Sequence, residues 1–158
     1  MTAFQLTGLA PSAFEPLFAL TDDQLAQQGM QRCRATEHPG FPCRVSLEDA
    51  QVGDELLLLP FEHQPARSPY RASGPIFVRR GAQRRQLPVN ELTDYVTTRL
   101  MSVRAYDANH QIVDAGVCDG AQLQAEIERL FGNAQVAYLH LHNAKRGCFS
   151  CRVDRVTA

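Results

Sequence analysis

Residues 101–156, MSVRAYDANHQIVDAGVCDGAQLQAEIERLFGNAQVAYLHLHNAKRGCFSCRVDRV, change hydrophobic period twice, and those changes decide the fold class. Met101, Val103 and Ala105 alternate with polar neighbours, and so do Val113, Ala115 and Val117. A period of two puts each set on one strand face. Setting Ala105 opposite Val113 across the Asp107–Gln111 turn aligns the two sets and pairs Arg104 with Asp114. The period then lengthens. Asp119 is placed to cap a helix whose Leu123, Ile127, Leu130 and Phe131 share one side, with Gly132 as its stop. A second hairpin follows, with strands 137–142 and 148–156 joined by a turn at 143–147. Its alternation assigns Leu139, Leu141, Phe149, Cys151 and Val153 to the core. His140, His142, Cys148, Ser150, Arg152 and Asp154 fall on the opposite, solvated face. Hairpin, helix, hairpin predicts an α+β fold: a mainly antiparallel sheet with a few helices packed on it.

Upstream, the chain reads as more of the same domain. Phe4–Leu9 is a short first strand. Thr21 opens a helix with Gln24 at the capping-box position and Leu20 and Leu25 placed as a staple, and Gly29 ends it. The four leucines 56–59 predict a strand covered on both faces. Segment 62–75, with three prolines, reads as a long loop; 76–80 is a strand able to turn at Gly81-Ala82 into a hairpin, and Asn90 is placed to cap a helix to about Thr98. No repeat or linker divides the 158 residues, so one domain, 1–158, is expected.

Composition narrows the function classes. Sixteen basic and seventeen acidic side chains leave a net charge of −1, which gives no general attraction for nucleic acid or anionic membranes. The first twenty residues lack a basic start and a sustained apolar run, and the five cysteines are odd in number, so a cytoplasmic protein with free thiols is expected. Phosphate-loop, dinucleotide-binding, zincin and nucleophile-elbow motifs are all missing from the sequence.

The remaining chemistry is local. Cys148-Phe149-Ser150-Cys151 is a C-x-x-C, but within a strand its thiols point to opposite faces, against both joint metal ligation and thioredoxin-type chemistry. His140-x-His142 beside Cys148 makes a partial metal pattern with no third strong ligand, so no metal or other cofactor is assigned. Two loops, 38–44 and 62–75, gather side chains suited to a small polar or anionic ligand: His38, Arg44, His63, Tyr70, Arg71 and Ser73. Ligand binding through these loops, by a binding protein or an enzyme, is the leading expectation. The alternative is a non-catalytic interaction protein or homodimer that uses a sheet face or edge.

Three phrases also carry a resemblance: HPGFPCRVSL (38–47), EHQPARSPYRASGPIFVR (62–79) and YLHLHNAKRGCFSCRVDR (138–155). Together they resemble a bacterial family designated domain of unknown function 1203. The resemblance implies a stand-alone bacterial protein of this size, and it supplies no catalytic residue.

Overall fold

The computed structural model describes residues 2–157. The chain is mainly β with a few short helices, in keeping with an α+β class, but its strands form two sheets. The first contains β1 (Ala3–Thr7), β7 (Leu100–Tyr106), β8 (Ile112–Asp119), β9 (Tyr138–Asn143) and β10 (Phe149–Val156). Their order is β1-β10-β9-β7-β8, with every neighbour antiparallel.

One face of this sheet buries what the alternation predicted. Met101, Val103, Ala105, Leu139, Leu141, Cys151 and Val153 lie against Leu123, Ile127, Leu130 and Phe131 of the helix Leu123–Phe131 (here α3). That helical stripe at i, i+4, i+7 and i+8 is the amphipathic pattern of a helix lying on a core.

Two irregularities change the faces of the hairpins. Tyr106 pairs with Ile112 while Ala105 pairs with Asp114, so Val113 is an extra residue on its strand. The expected pairing of Ala105 with Val113 is therefore displaced. Val113 and Val117, expected inside and in line with the core, are 38% and 65% exposed, while Asp114 faces α3 and pairs with Arg129. In the second hairpin Phe149 pairs with His142 but Cys151 pairs with Leu141, which makes Ser150 the extra residue. One inserted residue reverses the phase of everything beyond it. Cys151 and Val153 join the α3 core as expected, but Phe149 turns to the other side with His140 and His142.

That other side is not a solvated face. The second sheet covers part of it, in the order β2-β5-β6-β3-β4. Its strands are β2 (Gln31–Arg34), β3 (Pro42–Cys43), β4 (Glu48–Asp49), β5 (Glu55–Gln64) and β6 (Ala72–Arg79), with β3 and β6 parallel. Half of 62–75 is thus strand, and the other half, 65–71, connects β5 to β6. Pro60 and Pro75 stand opposite each other, outside the residues that pair with β2 and β3, so neither missing N–H breaks a neighbouring ladder. Leu57, Leu59, Ile76 and Val78 form a second core with Phe14, Phe18 and Leu25. Leu25 comes from α1 (Asp22–Gln27), whose Thr21–Gln24 capping box forms as read.

Two upstream expectations change. After Gly81 the chain leaves the second sheet without a hairpin and runs beside β1, where the Leu87 N–H donates to the Leu6 carbonyl. Asn90 caps no helix; its Oδ1 accepts from the Phe4 N–H, and only the single turn α2 (Asp94–Thr97) follows. The two sheets meet tightly at Gly8, where an added Cβ would collide with the Val45 carbonyl oxygen.

Candidate functional site

The register places three rows of side chains on the covered face of the first sheet. Ser102, His142 and Phe149 form one row; Arg104, His140 and Arg152 the next; Tyr106, Tyr138 and Asp154 the third. From the second sheet, Leu57, Leu59, Phe61 and His63 alternate along one face of β5, and the last two reach these rows. The Phe61 ring centre is 6.2 Å from that of Phe149, and His63 stacks on Phe149 at 5.5 Å with only 4° between the planes.

The result is a cluster of three imidazoles around one phenyl ring. His140 is 4% exposed and His142 fully buried, while His63 is half-buried. One ring nitrogen from each of the three lies within 4.8 Å of those from the other two. The ring centres are 4.9 Å apart for His63–His142, 6.0 Å for His63–His140 and 6.4 Å for His140–His142.

The polar atoms of this cluster are unsatisfied. Nδ1 of His63, Nδ1 of His140 and Nε2 of His142 are buried without a hydrogen-bond partner. Each such atom typically costs about 1–3 kcal/mol. His142 reveals its tautomer. Its Nδ1 lies 2.9 Å from the Gly147 carbonyl oxygen, which can only accept, so Nδ1 carries the proton and Nε2 the lone pair.

Burial keeps the trio neutral. It pushes His140 down to about 3, assisted by the neighbouring His142, His63, Arg152 and Arg104. Burial likewise pushes His142 down to about 3, against the Gly147 hydrogen bond, with Arg104 adding to the depression. His63 is lowered by burial and then by Arg104. At neutral pH the lone pairs are therefore free for a Lewis acid, as metal ligation requires.

Around the trio, Tyr106 lies 4.9 Å from His140 and stacks on Tyr138 at 5.1 Å. The Tyr138 hydroxyl accepts from Gln64 Nε2 at 2.9 Å and lies 2.7 Å from His110 Nδ1. These contacts fix the rings beside His140.

The residues expected to bind a ligand divide into groups. Arg44 is 2% exposed and donates to the carbonyls of Phe149 at 2.8 Å and Pro42 at 2.6 Å, so it ties the sheets together beside the histidine cluster. Tyr70 lies edge-on to Tyr106 at 6.5 Å, at the margin of the cluster. Arg71 pairs with Glu62 at 3.0 Å on the surface, and Ser73 is exposed on β6. His38 is exposed in its loop and bonds the Ala50 carbonyl at 2.9 Å. Only Arg44 and His63 meet directly at Phe149. The pair His140 and His142 was legible from the sequence. Missing from that reading was the junction with His63, whose place beside Phe61 follows once β5 is continued beyond Phe61 into the segment taken as a loop.

A cleft of about 580 Å³ opens nearby, between Phe41, Leu58 and Phe77 on one side and the 143–148 turn on the other. Lys145 and Arg146 line it, and neither has an ion-pair partner among the described residues.

Residues 40–155 match the model of a family described as protein of unknown function (DUF1203), and the chain belongs to that family. No curated protein and no solved structure matches the chain.

Proposed function

We propose that this protein binds a late first-row transition metal ion of the zinc class through His63, His140 and His142. The observation that carries the reading is the convergence of three neutral imidazoles with one ring nitrogen of each within 4.8 Å of the others, in a cluster where every ring also has a buried nitrogen without a partner. Buried nitrogens without a partner are a standing destabilisation, and a cation that takes a lone pair from each ring would relieve it. Imidazole nitrogen is a preferred donor for zinc, copper and nickel. A tetrahedral ion with metal–nitrogen bonds of about 2.0–2.1 Å holds its donor atoms about 3.3 Å apart and its ring centres about 5 Å apart. The observed centres, at 4.9–6.4 Å, need inward movement of about an ångström, within reach of small side-chain rotations. The hydrogen bond from His142 to Gly147 supplies the outer contact that typically fixes a ligating ring.

Titration of zinc against a chromogenic chelator tests the reading. One equivalent should bind, and His63→Ala, His140→Phe and His142→Gln should each weaken binding by roughly tenfold or more. Failure to compete for zinc, or variants that bind as the parent does, would overturn it.

A second reading keeps a small anionic ligand in the cleft, favoured by unpaired Lys145 and Arg146 beside the apolar wall of Phe41, Leu58 and Phe77. An aromatic carboxylate such as 2-naphthoate should then bind more tightly than 2-naphthylmethanol, and Lys145→Glu with Arg146→Glu should abolish that preference. Equal binding of the acid and the alcohol would refute it.

A further inference from the structure

We infer that the metal held by the three histidines takes a small oxyanion of carboxylate or bicarbonate type as its remaining ligand, clasped on the other side by Arg104. This rests on the metal reading and goes further, because it names what the site is for.

The register supplies the first observation. Arg104 stands directly opposite His140 on β7, and Arg152 flanks the same histidine from β10. Directly opposed residues have Cβ atoms about 4.5–5.5 Å apart, so the Arg104 side chain starts beside a ligand ring. The second observation concerns which cations are already engaged. Arg152 pairs with Asp154 at 2.8 Å and lies over the Tyr138 ring at 4.0 Å. Arg44 is spent on two backbone carbonyls. Arg104 has no ion-pair partner among the described residues and meets only the neutral Tyr106 side chain.

The third observation is charge balance. Imidazole donors bring no negative charge, and the charged side chains placed beside them are Arg104 and Arg152, which flank His140 in the sheet, and Arg44, which bonds the Phe149 carbonyl. Glu62 adjoins His63 in sequence but is engaged with Arg71. A dication here would add two charges to a positive site with no free carboxylate, so an anion is the species that restores balance. Three protein ligands leave the fourth tetrahedral position open, as in catalytic rather than structural zinc sites. One oxygen of a carboxylate can occupy that position while the other accepts from a guanidinium, whose planar fork suits two-point oxyanion binding. Arg104 and His63 are half-buried, so the open side of the cluster still touches solvent.

Cobalt(II) loading separates the two readings, because its visible spectrum reports both occupancy and coordination. The loaded protein should show a tetrahedral spectrum that shifts saturably with acetate, but with neither acetamide nor chloride at equal ionic strength. Arg104→Gln should bind cobalt at least as tightly, since a neighbouring cation has been removed, yet lose tenfold or more in acetate affinity; Arg104→Lys should recover part of it. A cobalt spectrum indifferent to acetate in the parent protein overturns the oxyanion reading and leaves the metal reading standing. Absence of any cobalt spectrum removes both. Acetate affinity unchanged in Arg104→Gln would refute the assignment of Arg104, and circular dichroism of each variant keeps misfolding from being mistaken for lost affinity.

Discussion

Acidification from pH 8 to pH 5 in the presence of a chelator should strip the metal-free protein of about 4 kcal/mol of stability. In the native state burial holds His140 and His142 at about 3, whereas in the unfolded chain each should titrate near the ordinary value of about 6.5. Between those limits the unfolded state binds more protons, so stability is complete above pH 6.5 and declines as pH falls toward 3. Each pH unit inside the window costs about 1.4 kcal/mol per histidine. The 1.5 units between 6.5 and 5 therefore remove about 2 kcal/mol for each ring. His63, shifted in the same direction, adds to the loss. Carboxylate pairs such as Glu55 with Arg80 add to the loss only at lower pH: that arginine holds Glu55 down in the native state, and the resulting stability fades as pH falls through the ordinary carboxylate range of the unfolded chain. Against a typical domain stability of about 5–15 kcal/mol the loss is large, and urea denaturation at pH 8, 6.5 and 5 would measure it. His140→Phe should flatten the curve by about 2 kcal/mol whatever its packing effect at pH 8, because packing does not titrate. A parent protein equally stable at pH 8 and pH 5 would refute the buried, neutral trio.

Other substitutions probe the frame. Leu139→Ala, in a fully buried position under α3, should cost about 2–5 kcal/mol in chemical denaturation. Arg71→Ala removes only an exposed pair with Glu62 and should change stability by less than about 1 kcal/mol, while leaving zinc affinity intact. Arg44→Met leaves the Phe149 and Pro42 carbonyls without their donor and should destabilise the protein by about 2–4 kcal/mol, read as a lowered melting temperature. Gly8→Ala drives a methyl into the Val45 carbonyl and should reduce soluble yield or melting temperature more than Gly74→Ala, whose added carbon meets open space.

The sequence disclosed the parts of this structure that depend on local rules. The stripe of α3, the capping box at Thr21 and the alternation of β7 and β9 all rest on interactions within a few residues, and all are present. What escaped it depends on pairing. An extra residue at Val113 or Ser150 leaves no mark in composition, yet each reverses a strand face, moving Val113 outward and Phe149 to the histidines. The three prolines of 62–75 marked that whole segment as a loop, yet β5 runs on to Gln64 and β6 already begins at Ala72, with Pro75 opposite Pro60. The covering of one sheet by the other is a long-range fact, and it turns the His140–His142 face from a wet surface into a buried site.

X-ray diffraction from zinc-soaked crystals, collected on both sides of the zinc absorption edge, tests the central claim most directly. One strong anomalous peak should lie about 2.0–2.1 Å from a nitrogen of each of His63, His140 and His142, with the His142 bond made through Nε2. A peak elsewhere on the chain, or three histidine rings left unchanged in saturating zinc, would contradict it.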